Sequence, residues 1–233
     1  MLDRRGVMGD HARDQDLAGR KLDLLPHVPL VLVAHIRGLD RIGAGAHLQD
    51  QVDDAVLANM YDHLVAQSPQ RYREWAELRI DALNHALEGI PEDRIRYHVC
   101  FGSWHVPHVA DAELEDIVDL ILKVRAGAYS IEAANVRHEH EWYVWQRVKL
   151  PAGKILIPGV VTHHTTTVEH PRLVAERIVT FAKLVGRENV IAGTDCGFAQ
   201  AQDIQRVHPQ VMWAKLESLA EGARLASKEL WGG

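Results

Sequence analysis

The chain has 233 residues, 47% of them hydrophobic and 25% charged, with a formal net charge of −6 at pH 7. That length buries a sizeable core without staples, and the acidic balance excludes the basic footprint of a nucleic-acid binder. Two cysteines exclude a disulfide-dense secreted scaffold. The charged first 22 residues do not read as a signal peptide, and the best apolar run, 29–36, is too short to span a bilayer. A cytoplasmic protein with reduced thiols is therefore expected. Fifteen histidines against three phenylalanines raise the expectation of a metal site, although surface solvation explains most of them equally well.

Residues 1–45 carry scattered charges, several glycines and one short β-like run at 30–34. They form an atypical amino-terminal segment that need not be ordered, and the regular pattern occupies 46–233. Ser68-Pro69 reads as an N-cap followed by Pro at the first helical position, opening a helix that Gly89 and Pro91 stop. A strand is predicted over 95–100. Asp111 then opens a helix in which Leu114, Ile117, Val118, Ile121 and Leu122 make one apolar stripe. A strand follows at 129–133, a short helix at 138–148 and a strand at 155–161. Pro171 starts a helix that Gly186 closes. The last strand is predicted at 190–193, and Pro209 opens a helix running to about Lys228. Strands alternate with helices at the spacing of βα units, hence a parallel sheet. A doubly wound sheet and a (β/α)₈ barrel both fit, and no G-x-G-x-x-G follows a strand.

The polar residues that carry chemistry fall at the carboxyl ends of these strands: His98 and Cys100, then Glu132, then His163 and His164, then Asp195 and Cys196. In α/β folds that edge is where sites are built. His98 and Cys100 are two apart, so both side chains leave one face of the strand. Histidine, cysteine and glutamate are all zinc ligands. The spacing alone leaves the alternative open that both cysteines are small buried core residues. Arg137 to Glu141 looks metal-like by composition and is read as a solvated helix start. Trp142 and Trp145 are read as packing residues. His105 and His108 line the pocket or are solvated.

Four stretches make the chain resemble the catalytic domain of cobalamin-independent methionine synthases, including their short single-domain members. They are Arg96-Tyr97-His98-Val99-Cys100-Phe101-Gly102, Ser130-Ile131-Glu132-Ala133-Ala134-Asn135, Ile157-Pro158-Gly159-Val160-Val161 and Gly193-Thr194-Asp195-Cys196-Gly197. The resemblance covers roughly 46–233. It implies a (β/α)₈ barrel with zinc at the strand carboxyl ends, held by His98, Cys100, Glu132 and Cys196. It implies methyl transfer from 5-methyltetrahydrofolate (polyglutamate) to the zinc-bound thiolate of homocysteine, giving methionine. The poor amine leaving group needs a proton donor. His163 or His164 is the candidate, His164 matching the family's offset better. Val52-Asp53-Asp54-Ala55 resembles the family's Ile-Asp-Glu-Pro-Ala, which makes Asp53 the substrate's amino-group ligand; a helix N-cap explains Asp53 as well.

The resemblance departs at the amino end. By the family's order β-strand four closes at Asp53, which leaves too little chain for three βα units of roughly 30 residues each. An incomplete barrel with about strands four to eight is expected, truncated or remodelled. Exposed parallel edges are a liability that implies instability or self-association. Partners are small molecules, with neither nucleic acid nor membrane. Two alternatives to the methionine synthase reading stay open. One is a zinc-dependent thiol alkyltransferase of the epoxide:coenzyme M type. The other is an inactive zinc-binding fragment.

Overall fold

The computed structural model describes residues 50–54, 56–59, 68–102, 111–164, 166–201, 204–205 and 207–232. The segment 1–45, His105 and His108 lie outside these residues.

Five parallel strands pair in chain order: β1 (Asp50–Asp54), β2 (Ile95–Val99), β3 (Ala128–Glu132), β4 (Ile155–Val161) and β5 (Gly193–Thr194). Each connection carries helix: α1 (Val56–Asn59) and α2 (Pro69–Ala86) after β1, α3 (Leu114–Ile121) after β2, a 3₁₀ segment (Glu139–Gln146) after β3, and α4 (Pro171–Val185) after β4. A small antiparallel pair, β6 (Ala199–Ala201) and β7 (Ile204–Gln205), precedes the long α5 (Pro209–Trp231). The sheet is a curled half-barrel, an incomplete (β/α)₈ architecture, as expected from the βα spacing.

β2, β3 and β4 are largely buried on both faces, as parallel strands are, but only β4 reads as an apolar run; β2 and β3 carry polar residues within the sheet. Tyr97, Val99, Tyr129, Ile131 and Leu156 are buried in one cluster with Ile117, Ile121 and Phe181 from the helices. The predicted caps largely hold. The Ser68 hydroxyl accepts from the Arg71 N–H at 3.0 Å at the start of α2, and Pro171 and Pro209 open α4 and α5. Gly222 lets α5 lie close on α4, since a Cβ there would sit 2.5 Å from the Val174 side chain.

Four local expectations need correction. Asp111 does not open α3; Glu113 is its N-cap residue and makes no side-chain cap. Asp111 instead reaches His138 Nε2 at 3.3 Å. The Leu114 N–H donates to Glu141 Oε1 at 2.6 Å. What holds α3 is its stripe, because burying a residue such as Ile117 is worth about 2 kcal/mol, more than a typical cap. The last strand is shorter than 190–193 implied: a single bridge pairs Val190 with Leu156, and β5 resumes at Gly193 after a register shift. The helix expected over 138–148 is instead a 3₁₀ segment, Glu139–Gln146, within which Trp145 is buried while Trp142 is 39% exposed. Finally, Arg137 to Glu141 is not a purely solvated start: His138 and Glu141 are both buried.

Candidate metal centre

The carboxyl ends of β2, β3, β4 and β5 bring the cluster together. His98 lies on β2 and Cys100 just beyond it, where its N–H donates to the Asp54 carbonyl at 3.0 Å. Glu132 ends β3. His163 follows β4 and Cys196 follows β5. Cys196 Sγ is the hub. It lies 3.1 Å from Cys100 Sγ, 3.5 Å from His98 Nε2 and 2.9 Å from Glu132 Oε1. The donor atoms of His98, Cys100 and Cys196 are mutually within 4.8 Å, and so are those of Glu132, His163 and Cys196.

Neighbours fix these side chains in place. His98 Nδ1 meets Ser130 Oγ at 3.1 Å, which leaves Nε2 toward the sulfurs. Glu132 Oε1 accepts from the Phe101 N–H at 3.1 Å, and Oε2 from the Asn135 amide at 3.3 Å. The Gly102 N–H donates to Cys100 Sγ at 3.3 Å. Asp195, fully buried, spans the strand ends: its Oδ1 accepts from the N–H groups of Ala133 and Ala134, each at 2.9 Å. Its own N–H donates to the Val161 carbonyl.

The electrostatics follow from crowding. The contact with Cys196, then those with His98 and the Gly102 N–H, outweigh burial and pull the Cys100 thiol down to about 5. The same sulfur–sulfur contact, with burial and Glu132, pushes the Cys196 thiol up. Burial first, then the negative charge of Cys100, raises Glu132. Burial and Glu132 hold the Asp195 carboxyl well above the ordinary carboxylate range. Two sulfurs and an imidazole converge with a carboxylate in a buried site, so protons must balance the negative charge. A soft divalent cation replaces such protons. The separations around Cys196 approach the roughly 3.6 Å edge of a tetrahedron with zinc bonds of about 2.0–2.3 Å. The residues present therefore fit zinc.

The other sequence candidates fall nearby. His164 is half-buried beside His163, the rings 5.6 Å apart and nearly parallel. Asp53 pairs in register with His98, and its side chain lies outside the described residues. The neighbouring Asp54 accepts through Oδ1 from the Leu57 N–H of α1 at 3.0 Å.

Two buried networks escaped sequence reasoning. His138 stacks on Phe101 at 3.8 Å and sits between Glu141, at 2.8 Å, and Asp111. Behind β4, Lys215 of α5 is fully buried and donates to Glu169 Oε2 at 3.0 Å and to Thr162 Oγ1 at 3.3 Å. Glu169 Oε1 accepts from the Thr162 N–H at 2.8 Å. These partners lie up to 53 residues apart, and no local pattern announces them.

The profile of the family described as "Cobalamin-independent synthase, Catalytic domain" matches residues 24–215. The chain belongs to that family. The match takes in residues 24–45, which the sequence motifs above did not tie to it. The 2-hydroxypropyl-CoM lyase of Xanthobacter autotrophicus is 26% identical over 187 residues, covering 70% of this chain and 47% of that protein. A B12-independent methionine synthase from Shewanella sp. W3-18-1, solved in complex with selenomethionine, is similar in fold. Its TM-score is 0.61 at 20% identity, over 87% of this chain and 55% of that one. The chain thus spans about half the length of the relatives it matches. Family and relatives are enzymes of methyl or alkyl transfer. Among the described residues no helix is long and apolar enough to cross a membrane.

Proposed function

We propose that this chain is a zinc-dependent thiol alkyltransferase of the methionine synthase type, moving the methyl group of 5-methyltetrahydrofolate to homocysteine. The observation that carries the reading is the convergence of His98, Cys100 and Glu132 on Cys196 Sγ. A bound Zn²⁺ would hold a substrate thiol as thiolate, a nucleophile that a free thiol near pKa 8.5 supplies poorly at neutral pH.

The chain's own residues supply the rest. His98, Cys100, Glu132 and Cys196 would hold the ion. Glu132 and Cys196 are themselves buried, which limits the water that reaches the ion. The S–CH₃ bond forms as the N–CH₃ bond breaks, and the departing nitrogen takes a proton from His164. That ring is half-buried, so solvent can reprotonate it. Asp53, in register with His98, is suited to the amino group of the acceptor.

A second reading has specific support. The 2-hydroxypropyl-CoM lyase relative favours coenzyme M as thiol and an epoxide as alkyl source, on the same metal ligands.

The experiment is zinc content of the purified chain beside Cys100→Ser and Cys196→Ser, followed by assays with both substrate pairs. One zinc per chain, lost in both variants, supports the centre. Methionine from homocysteine and methyltetrahydrofolate selects the first reading, and a coenzyme M thioether from an epoxide selects the second. Zinc bound without either product leaves an inert zinc-binding fragment. No zinc in a folded wild-type chain overturns the proposal.

A further inference from the structure

We propose that His163 is itself a ligand of the metal centre, so that five side chains rather than four compete for the ion. The inference rests on the zinc reading above and goes beyond it.

Three observations carry it. His163 is 3% exposed at the end of β4, and its ligand nitrogen, a Glu132 carboxylate oxygen and Cys196 Sγ lie mutually within 4.8 Å. Two donors on one zinc ion stand at most about 4.6 Å apart, given bonds of about 2.3 Å. This triad, bounded at 4.8 Å, is slightly wider than that limit, so its donors stand close to the size of one coordination sphere and need only a small contraction to share an ion. It also shares Cys196 with the triad of His98 and Cys100, so both describe one centre around one sulfur. His164 belongs to neither group. Finally, the loop that carries His163 is anchored as a ligand's support must be. The preceding Thr162 is held through its N–H by Glu169 and through its hydroxyl by the buried Lys215.

The chemistry gives the fifth donor a use. Catalytic zinc keeps a place for substrate and expands to at most about five ligands, so Glu132 and His163 become alternatives for one place while the substrate thiolate takes another. With two thiolates, His98 and Glu132, the ligand charge exceeds that of the ion by one. With His163 in place of Glu132 the centre is neutral. A neutral centre attracts an added thiolate more strongly, so the imidazole form is the better acceptor of an anionic sulfur substrate. The pair of histidines after β4 then divides its work: His163 faces the ion and His164 stays available for proton transfer.

The test uses the whole chain loaded with Zn²⁺ or Co²⁺, as wild type, His163→Gln, His163→Cys, His164→Gln and Cys196→Ser. Affinity is read by competition with a chromophoric chelator, and ligand identity by the visible and near-ultraviolet absorption of Co²⁺. His163→Gln is expected to weaken Zn²⁺ binding at least about 10-fold, since even outer-shell changes cost 10- to 100-fold, and to shift the Co²⁺ bands. His163→Cys is expected to add thiolate-to-cobalt charge-transfer intensity, a gain that misfolding cannot imitate. His164→Gln is expected to leave affinity and spectrum unchanged. Wild-type affinity and spectra in both His163 variants overturn the inference, and if Cys196→Ser still loses metal, the zinc reading survives. A wild-type chain that binds no metal overturns both.

Discussion

Gly159 of β4 lies directly against Asp195: a Cβ on Gly159 would stand 2.3 Å from Asp195 Oδ1, 2.6 Å from its Cα and 2.7 Å from its N. Two of these atoms are backbone and cannot swing away. Asp195 needs this space because its carboxylate joins the ends of β3 and β5 across β4. Gly159→Ala is therefore expected to cost about 1–3 kcal/mol or more by overpacking, and to weaken zinc binding by displacing Cys196. Asp195→Leu leaves the Ala133 and Ala134 N–H groups buried without an acceptor, at about 1–3 kcal/mol each. Asp195→Asn keeps an acceptor oxygen and is expected to be milder. Urea unfolding beside zinc titration checks both, and equal stability of the alanine variant and wild type would refute the clash.

The chain's only two cysteines have their sulfurs 3.1 Å apart, which makes thiol chemistry an unambiguous readout. In chelator-treated protein a mild oxidant is expected to link Cys100 to Cys196, seen by mass spectrometry as loss of two hydrogens. Saturating zinc is expected to slow that reaction at least about tenfold, because a metal-bound thiolate is not free to attack. Oxidation at one rate with and without zinc would sink the shared site.

Much of this was legible from the sequence because it is local. His98, Cys100 and Glu132 announce themselves by their place at the carboxyl ends of short strands and by the motifs around them, and Ser68-Pro69, Pro171 and Pro209 by cap chemistry. What was not legible is tertiary. Arg137 to Glu141 looks solvated by composition, yet His138 is buried because Asp111 and Phe101 arrive from a different segment. Asp111 looks like a cap for the same reason, its true partner being 27 residues away. β5 is short because the sheet shifts register between Gly159 and Val161, which no apolar run records. Of the two histidines after β4, the family offset singles out His164. Only the fold brings His163 within reach of Cys196 and Glu132.

His138 makes stability depend on alkaline pH. Burial opposes its charge, but Asp111 and Glu141 outweigh burial and raise it to about 9, above the ordinary value of about 6.5. A raised folded value stabilises the fold fully below about pH 6.5, and the contribution is lost as pH rises through about 9. The span corresponds to about 3 kcal/mol. Urea midpoints at pH 6.5 and 9.5 are expected to differ more in wild type than in His138→Gln. The same pH dependence in both proteins would show that another group carries it.

Lys215 and Glu169 form an ion pair with side chains 0% and 6% exposed, and that burial sets the outcome of removing either partner. Hydrogen bonds from the Thr162 N–H and from Lys215 outweigh burial and hold the Glu169 carboxyl below its ordinary range. Lys215→Met strands that carboxylate, so a loss of roughly 3–5 kcal/mol is expected. Adding Glu169→Gln removes the buried charge while keeping an acceptor for Thr162, and is expected to restore a large part of the loss. The order matters for function because Thr162 adjoins His163. The single variant is therefore expected to weaken zinc binding and the double variant to recover it in step with stability. A single variant that unfolds within about 1 kcal/mol of wild type would mean that solvent reaches Glu169 and that the loop after β4 is anchored elsewhere.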